Sequence, residues 1–444
     1  MATATDLSTA ARVLAVLSHL GIEQAHVAAR DARDWQSLAT AYPERLASLT
    51  LVCPQGMDPG VLQPLASRLL VFNSDQGRAA ELTRSVVARL PEARLITLND
   101  YVSTTPYIDV AADRTDDIGA SMLDFLSRMD LQRPLPNVSL AADEGEIAGV
   151  SYRTQGRGAP LVLLPLSVAP SQWEPLLSRL SERYYTVVLG GAALGMVGSL
   201  ESRGHTSGYL RVVWNLLEEA HLQPGEVLLE VGCGTGVLDR WVAWRTGRAN
   251  PITAVDINPF LLREAAALAR SEGLSDIIDF RHGRAEALPF PEARFDVTMS
   301  STVIQRVDAD RKLAEMVRVT KSGGRVAVVG HAHDIPQWVN LPLRAELKAK
   351  IEAPGWGSTS GHERGCDDAS LYRRFHQAGL TQIKMFPQFA AFDDPARLQA
   401  MQATIMPTLS AEEAQEWRDA MARAEAEGTF FIANPFHCAV GTKP

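Results

Sequence analysis

Three glycines between an apolar segment and an amphipathic one mark the stretch of this sequence with the clearest chemistry. Residues 227–244 read VLLEVGCGTGVLDRWVAW, with glycine at positions 232, 234 and 236. Glycine permits a sharp strand-to-helix turn and lets a ligand lie against bare backbone. The spacing is GxGxG, whereas dinucleotide-binding enzymes use GxGxxG, with a third glycine where this chain has Val237. The stretch therefore predicts a ligand-binding turn, although the glycines alone do not identify the ligand.

A carboxylate at the end of the next apolar segment extends this pattern. Asp256 lies in AVDINP, 20 residues after Gly236. A carboxylate in that position accepts hydrogen bonds from both hydroxyls of a ribose, a bidentate arrangement that only Asp or Glu supplies. The two features together predict a ligand that contains a ribose.

Two further stretches complete an ordered set of motifs. Residues 282–301 read HGRAEALPFPEARFDVTMSS, and residues 313–330 read LAEMVRVTKSGGRVAVVG. In this order the motifs resemble those of class I S-adenosylmethionine-dependent methyltransferases, and specifically the small-molecule (type 11) group that includes the menaquinone-pathway C-methyltransferases. The resemblance covers about residues 205–444. It implies a Rossmann-like fold, S-adenosylmethionine as cofactor and methyl transfer to a small-molecule acceptor.

The resemblance also implies a role for each matching position. Glu230 is expected near the methionine amino group, and Asp256 is expected to hold the ribose hydroxyls. The backbone of the glycine turn is expected to pass under the methionine and ribose portions. The cofactor-binding residues implied in this way are Glu230, Gly232, Cys233, Gly234, Gly236, Asp256, Ile257, Arg284, Ala285, Glu286 and Ser300.

The adenine end of the expected site departs from the family pattern. Ile257 is expected to pack against the adenine, and the backbone N–H of Ala285 to bond its ring. The family usually has Asp or Asn just before that alanine, to bind the exocyclic amine, but this chain has Arg284. A guanidinium cannot accept that hydrogen bond. Either Arg284 points away and stacks, or Glu286 takes the role.

Two histidines after the fifth apolar segment are the candidates for catalysis. His331 and His333 lie in VVGHAHDIPQWVNLP, where the active-site rim of the family is expected. A histidine suits a general base near pH 7, and a base is needed only if the attacking atom starts protonated and weakly acidic. The alternative is a histidine that caps a helix or bonds backbone. A metal site with His362, Cys366 or His437 as distant ligands is not predicted, because no spacing fixes it.

The acceptor is expected to lie between an insert and a helix. The insert spans residues 337–368 and contains Trp338, Trp356 and the glycine-rich GWGSTSGHERG, so we expect it to close over the substrate,. The helix GYLRVVWNLLEEAHL is expected to form the other wall, with Tyr209 directed at the pocket. For the two tryptophans, ordinary packing is the alternative.

Alternating strand-like and helical segments predict how these residues are positioned. From Tyr209 onward the apolar segments VLLEV, ITAVDI, DFRHG, FDVTMS and RVAVVG alternate with helical patterns, and residues 1–195 show a second such alternation. This pattern indicates mostly parallel sheets covered on both faces. Stretches 128–146 and 190–207, rich in Gly, Pro and small polar residues, are predicted to be linkers. The sequence thus predicts two α/β domains, 1–195 and 205–444.

The N-terminal domain resembles an α/β-hydrolase, a doubly wound fold, whose halves occur in exchanged order. AHVAA and the residues after it resemble the middle of that family, and residues 67–99 resemble its last two strands. The family's opening strands are resembled later, by residues 150–191. A circular permutation, which surface termini tolerate, explains this order. The alternative is two truncated remnants that complete each other between chains. A permuted sheet is expected to bring YTVVLGG near AHVAA.

The nucleophile elbow of this domain lacks the residues that hydrolysis needs. A G-x-S-x-G elbow exposes a serine on a strained turn, but its five places hold Ala29, Arg30, Asp31, Ala32 and Arg33. Asp31 could mimic an aspartate nucleophile, yet no histidine follows the last strand, in NDYVSTTPYID. Without that base, covalent intermediates turn over poorly. We therefore expect a non-catalytic, structural domain; a ligand-sensing pocket fused to a secondary methyltransferase domain is the alternative.

Composition excludes several classes of protein. The 444 residues carry a net charge of −9, which argues against broad nucleic-acid binding,. No apolar run approaches the roughly 18–20 residues of a membrane helix, and the start of the chain is predicted to be an amphipathic helix rather than a signal peptide. The four cysteines form no CxxC motif and are expected to be reduced thiols, as in a cytoplasmic protein,. A homodimer contact through the N-terminal domain is a further expectation.

Overall fold

The chain folds into two compact units, Met1–Ser199 and Leu200–Pro444. The computed structural model describes residues 7–30, 32–54, 56–102, 109–191, 193–355, 362–393, 398 and 405–444. The predictions made for Asp31 and Trp356 therefore lie outside the described residues. No helix within these ranges is long and apolar enough to cross a membrane. All four cysteines are buried and free.

The first unit alternates strands and helices. Its strands are β1 (Ala25–Ala29), β2 (Leu46–Val52), β3 (Leu69–Gln76), β4 (Arg94–Val102), β5 (Glu144–Ile147), β6 (Val150–Gln155), β7 (Ala159–Leu163) and β8 (Tyr184–Gly190). Its helices are α1 (Thr9–His19), α2 (Ala32–Ala41), α3 (Pro59–Leu62), α4 (Arg78–Val87), α5 (Val110–Asp113), α6 (Thr115–Gln132) and α7 (Glu174–Ser181), with 3-10 turns at Pro43–Arg45, Gln63–Arg68 and Pro170–Trp173. Helix α8 (Gly195–His205) begins in this unit and ends in the second.

These strands form one sheet in the order β4-β3-β2-β1-β7-β8-β6-β5. The pairs β5–β6 and β6–β8 are antiparallel, and the other pairs are parallel. Every residue of β1, β2, β7 and β8 is buried, as central parallel strands covered on both faces require. Strands from both parts of the unit therefore complete a single sheet within one chain.

The expected neighbour of AHVAA needs a correction. The segment YYTVVLG is β8, and it pairs with β7 and β6. The direct neighbour of β1 is β7, APLVL. Because consecutive parallel strands usually lie side by side, β8 lies next to β7 and is one strand removed from β1.

At the predicted elbow, β1 ends at Ala29 and α2 begins at Ala32. Arg30 is fully buried there, and its Nε donates a hydrogen bond to the carbonyl oxygen of Cys53 at 3.1 Å. Asp75, near the end of β3, accepts two backbone N–H groups of β4 at 2.7 and 3.0 Å. These hydrogen bonds fix the path of the chain at the ends of β1 and β3.

The second unit also alternates strands and helices. Its strands are β9 (Leu228–Val231), β10 (Ile252–Asp256), β11 (Ile278–His282), β12 (Phe295–Ser301), β13 (Thr320–His331), β14 (Trp338–Val339), β15 (Thr381–Phe392) and β16 (Ile432–Thr442). Its helices are α9 (Ser207–Glu219), α10 (Val237–Arg245), α11 (Pro259–Ser271), α12 (Ala309–Val319), α13 (Ala345–Glu352), α14 (Ser370–Gln377) and α15 (Ala411–Glu427), with 3-10 turns at Ile304–Arg306 and Met406–Thr408.

The sheet of the second unit has the order β11-β10-β9-β12-β13-β16-β14, and β15 pairs with β16. The first five strands are parallel, while β16 runs antiparallel to β13 and β15. The chain starts in the centre at β9, proceeds to one edge, and then returns to fill the other side from β12. This is a Rossmann-like arrangement, and such sheets bind ligands at the carboxyl ends of the strands where the order reverses, here between β9 and β12.

The stretch predicted as a linker at 190–207 is in fact mostly helix α8. Its glycines lower intrinsic helix stability, but tertiary packing uses one of them. A Cβ atom at Gly204 would lie 2.3 Å from Cγ1 of Val237 in α10. Glycine at position 204 therefore allows the helix to approach the glycine turn closely.

Candidate active site

The glycine turn joins β9 to α10 along a left-handed path. Gly232, Gly234 and Gly236 have φ angles of +88°, +58° and +67°, a region that residues with a side chain rarely adopt. The N–H groups of Gly232 and Cys233 both donate to the carbonyl oxygen of Val255, at 2.7 and 3.0 Å. A Cβ atom on each glycine would lie under 3.0 Å from a neighbouring side chain: 2.3 Å from Val303 for Gly232, 2.9 Å from Leu200 for Gly234, and 2.7 Å from Phe280 for Gly236.

Asp256 lies beside this turn at the end of β10. Its carboxylate accepts hydrogen bonds from the backbone N–H groups of Gly234 at 2.9 Å and Asn258 at 2.8 Å. Each oxygen keeps further acceptor capacity, so the group can still accept two ribose hydroxyls. Burial raises the pKa of Asp256 above its ordinary value, and the backbone hydrogen bonds oppose that rise. The geometry fits the ribose-binding role that the resemblance implies.

Glu230 on β9 and Asp239 on α10 form a buried acidic pair near the same turn. Both residues are 1% exposed. Burial raises the pKa of both carboxyl groups, and repulsion by Asp239 raises that of Glu230 further. Oε2 of Glu230 and both oxygens of Asp239 accept no hydrogen bond from a donor among the described residues, so a contact between the two groups requires a shared proton. Buried carboxylates without donors suit a cationic group, such as the amino group of a methionine moiety.

At the expected adenine end, the side chains of Arg284 and Glu286 differ in exposure. The Arg284 side chain is 64% exposed, whereas the Glu286 side chain is 17% exposed. Their charged groups lie 4.0 Å apart. Ala285 between them is partly buried against the core, and Ile257 is 45% exposed. This arrangement favours Glu286 as the acceptor for an exocyclic amine.

A buried lysine that the sequence reasoning missed supports the site from α12. Nζ of the fully buried Lys312 donates to Oγ of Ser300, which donates to the carbonyl oxygen of Val231 at 2.6 Å. Burial lowers the pKa of Lys312 to about 7, although nearby carboxylates oppose the change. Ser300, one of the residues predicted to bind the cofactor, thus has its hydroxyl hydrogen-bonded to Lys312 and Val231. The helical spacing of Lys312 from Ala309 and Met316, both buried, is the signal that places it on the apolar face,.

Tyr209 is fully buried in α9 rather than exposed to an open pocket. Its hydroxyl forms a hydrogen bond with Oγ of Ser301 at 2.7 Å. The guanidinium of Arg203 lies 4.9 Å from the centre of its ring, and the Phe436 ring lies 5.6 Å away. Tyr209 therefore lies at the carboxyl end of β12, where a Rossmann-like sheet binds its ligands.

The two candidate catalytic histidines are adjacent to each other. His331 ends β13, and its ring lies 5.2 Å from Phe436 and stacks on His333 at 5.6 Å. Nδ1 of His333 lies 2.9 Å from a carboxylate oxygen of Asp367. A carboxylate partner holds the proton on Nδ1 and leaves Nε2 as the basic nitrogen. This is the arrangement of an oriented general base.

The other candidate metal ligands do not gather around these histidines. His437 pairs with Asp334 at 2.6 Å, and Cys366 lies near Asp368 and Ser370. Over the part of the chain that the structure describes, no group of three or more His, Cys, Asp or Glu residues could hold a metal ion.

The described part of the 337–368 insert forms a small helical layer. Trp338 is 55% exposed and stacks on Phe389, with ring centres 4.5 Å apart and planes 13° from parallel. Leu347 and Ile351 of α13 are buried in a cluster with Trp417 of α15. Helix α15 is thus a partner of the insert that the sequence reasoning did not identify.

Comparison with known proteins identifies the same region. A family model described as "Methyltransferase domain" matches residues 229–328. A ubiquinone/menaquinone biosynthesis C-methyltransferase of Hydrogenovibrio crunogenus is 31% identical over 179 residues, covering 38% of this chain and 70% of the relative. One of Cupriavidus metallidurans is 30% identical over 193 residues, covering 40% and 78%.

Among solved structures, a putative methyltransferase of an antibiotic biosynthesis pathway from Anabaena variabilis aligns with 55% of this chain and 99% of its own, at 13% identity and a TM-score of 0.38. The family assignment rests on the sequence relatives and on the motifs described above. The chain therefore belongs to the S-adenosylmethionine-dependent methyltransferases of small molecules, the family that includes the ubiquinone/menaquinone biosynthesis C-methyltransferases.

Proposed function

We propose that the enzyme transfers the methyl group to a carbon atom of a flat, largely apolar small molecule. The observation that carries this proposal is a series of four rings at the carboxyl ends of the central strands, in the order Tyr209, Phe436, His331 and His333. The centres of neighbouring rings in this series are 5.2–5.6 Å apart. The His331 and His333 rings are partly exposed and stack with their planes 17° apart, whereas the Tyr209 and Phe436 rings behind them are buried. The faces of such rings suit a planar acceptor. The names of the similar relatives, which state C-methylation in ubiquinone/menaquinone biosynthesis, support carbon as the acceptor atom.

The protein's contribution is to position the reactants and to handle a proton. S-adenosylmethionine supplies the activated methyl group when it is bound. We propose that Glu230 binds the amino group, that Asp256 binds the ribose and that Glu286 accepts the adenine amine. His333, oriented by Asp367 at 2.9 Å, accepts the proton that the acceptor must lose,. His331 packs between the base and the aromatic wall.

Product analysis tests this proposal directly. The full chain is incubated with S-adenosylmethionine labelled with ¹³C in its methyl group and a panel of hydroquinones, phenols, amines and thiols. We expect the label on a ring carbon of a hydroquinone or phenol, and about 10²–10⁴-fold slower transfer for His333→Gln. Labelled products that carry the methyl group only on nitrogen, oxygen or sulfur would reject carbon as the acceptor atom.

For the N-terminal domain, residues 1–195, we propose a non-catalytic, permuted α/β-hydrolase-like scaffold that precedes the methyltransferase domain of residues 205–444. Counted from β5, its strands lie across the sheet in the order 1-2-4-3-5-6-7-8. This order supports a circular permutation in which one ancestral chain was opened before the fifth strand of its sheet. The scaffold role includes a homodimer contact, and the reduced thiols support a cytoplasmic location,.

The altered elbow gives the test of the non-catalytic role. Asp31→Ala is expected to leave methyl transfer unchanged, and neither protein is expected to hydrolyse a panel of esters and haloalkanes, since no histidine follows β4 in the sequence up to Asp109,. An esterase or dehalogenase activity that disappears in the variant would show that the elbow is catalytic.

A further inference from the structure

Helix α8 carries its C-terminal turns onto the glycine turn of the second unit. Leu200 lies closest to Gly234, with Cδ1 2.9 Å from the position of a Cβ atom there. Gly204 packs against Val237, the first residue of α10. Arg203 lies between Leu200 and Gly204, and it carries a charge toward the site.

The Arg203 guanidinium is held in place without a counter-charge. Its Nη1 donates to Oγ1 of Thr302 at 3.0 Å, and its plane lies 4.9 Å from the ring centre of Tyr209. Its Nε is buried and has no hydrogen-bond partner among the described residues. The neighbouring Arg240 differs, because it is paired with Glu201 at 2.5 Å and Glu272 at 2.7 Å. No Asp or Glu in the described ranges forms an ion pair with Arg203.

The charge of Arg203 acts on the same site as the acidic pair. The positive charge lowers the pKa of Glu230, against the dominant effect of burial. The site near the glycine turn thus offers a carboxyl pair, Glu230 and Asp239, and a guanidinium whose Nε has no hydrogen-bond partner among the described residues. The amino-acid end of the cofactor carries one ammonium and one carboxylate, so the two kinds of protein charge match the two kinds of ligand charge.

We propose that Arg203 binds the carboxylate of the amino-acid moiety of S-adenosylmethionine. Guanidinium groups pair with carboxylates in a bidentate geometry that lysine does not reproduce. The Thr302 and Tyr209 contacts hold the guanidinium so that little conformational freedom is lost on binding. Helix α8 is then part of the cofactor site, although it lies before the first motif of the family. This role does not depend on which acceptor the enzyme methylates.

The test compares two ligands that differ by the carboxylate alone. Titration calorimetry of the full chain uses S-adenosylmethionine and decarboxylated S-adenosylmethionine. We expect the wild-type protein to bind the decarboxylated ligand on the order of 10- to 100-fold more weakly. Arg203→Gln is expected to weaken S-adenosylmethionine binding by a similar factor and to leave the decarboxylated ligand unaffected. The affinity of Arg203→Lys for S-adenosylmethionine is expected to lie between those of the wild type and Arg203→Gln. Arg211→Gln, which changes an exposed residue of α9, is expected to bind both ligands as the wild type does.

The outcomes separate a ligand contact from a packing role. If Arg203→Gln weakens both ligands equally, the residue only supports the fold of the site, and the proposal is wrong. Equal affinity of the wild-type protein for both ligands would overturn it without any variant, so the test holds even if Arg203→Gln does not fold. Thermal unfolding of the apo proteins, which we expect to change little, provides the control for packing.

Discussion

Replacement of Asp256 tests the cofactor site at its most defined contact. In Asp256→Asn one carboxylate oxygen becomes an NH₂ group, which cannot accept a hydrogen bond from a ribose hydroxyl. The NH₂ group would also face a backbone N–H, that of Gly234 or Asn258, which now donates to the carboxylate at 2.9 or 2.8 Å. Hydrogen bonds to a charged group contribute about 1.5–3 kcal/mol each. Two ribose hydroxyls thus account for about 3–6 kcal/mol, and about 1.4 kcal/mol corresponds to tenfold in affinity.

We therefore expect Asp256→Asn and Asp256→Ala to bind S-adenosylhomocysteine about 100-fold or more weakly in calorimetric titration, while both stay folded. Asp279→Asn, a partly exposed site on the neighbouring strand β11, is the matched control. Because burial raises the pKa of Asp256, wild-type affinity is expected to fall on acidification at a higher pH than an ordinary aspartate would produce. Affinities within a few-fold of wild type in both variants would refute the ribose assignment.

Three further predictions follow from the same structure. Gly234→Val is expected to abolish cofactor binding in the same titration, whereas Gly273→Val, with a comparable positive φ but open space around it, is expected to leave binding intact; equal loss in both would implicate general strain. Asp239→Asn is expected to stabilise the apo protein above about pH 4, because the pKa of Asp239 is higher in the folded than in the unfolded protein,. Such an acid lowers the free energy of unfolding as the pH rises above the pKa that it has in the unfolded chain. At pH 8 the melting temperature of the variant should exceed that of the wild type by about 2–4 °C for each kcal/mol gained in the free energy of unfolding. This difference should shrink at pH 4, and a difference that does not change with pH would contradict the prediction. Residues 1–130 alone are expected to aggregate because β1 loses its partner β7, whereas 1–195 is expected to be soluble,; a monomeric 1–130 fragment in size-exclusion chromatography would contradict the permuted sheet.

The central strands were the most predictable feature of the fold. Segments such as AHVAA, APLVL and LLEV are buried on every residue, and a strand buried on both faces is read directly as a continuous apolar run. The same holds for the glycine turn, because positive φ angles and Cβ contacts under 3.0 Å make glycine obligatory there,. These features depend on local sequence alone.

The features that sequence reasoning missed depend on tertiary contacts. Helix α8 reads as a linker because its glycines disfavour a helix, and only the close approach of Gly204 to Val237 accounts for it,. Arg203 was missed with it, since its hydrogen bond to Thr302 joins residues 99 positions apart in the chain. Lys312 is fully buried although lysine is ordinarily an exposed residue type, and its contact with Ser300 is likewise a tertiary one,.

The most direct test of the central claim is a crystal structure of the full chain with S-adenosylhomocysteine. We expect the ligand over the glycine turn at residues 232–236, with both ribose hydroxyls within hydrogen-bond distance of the Asp256 carboxylate. The amino group is predicted next to Glu230, and the carboxylate next to Arg203. Ligand density at any other place in the chain, or no ligand density at a saturating concentration, would contradict this location of the cofactor site.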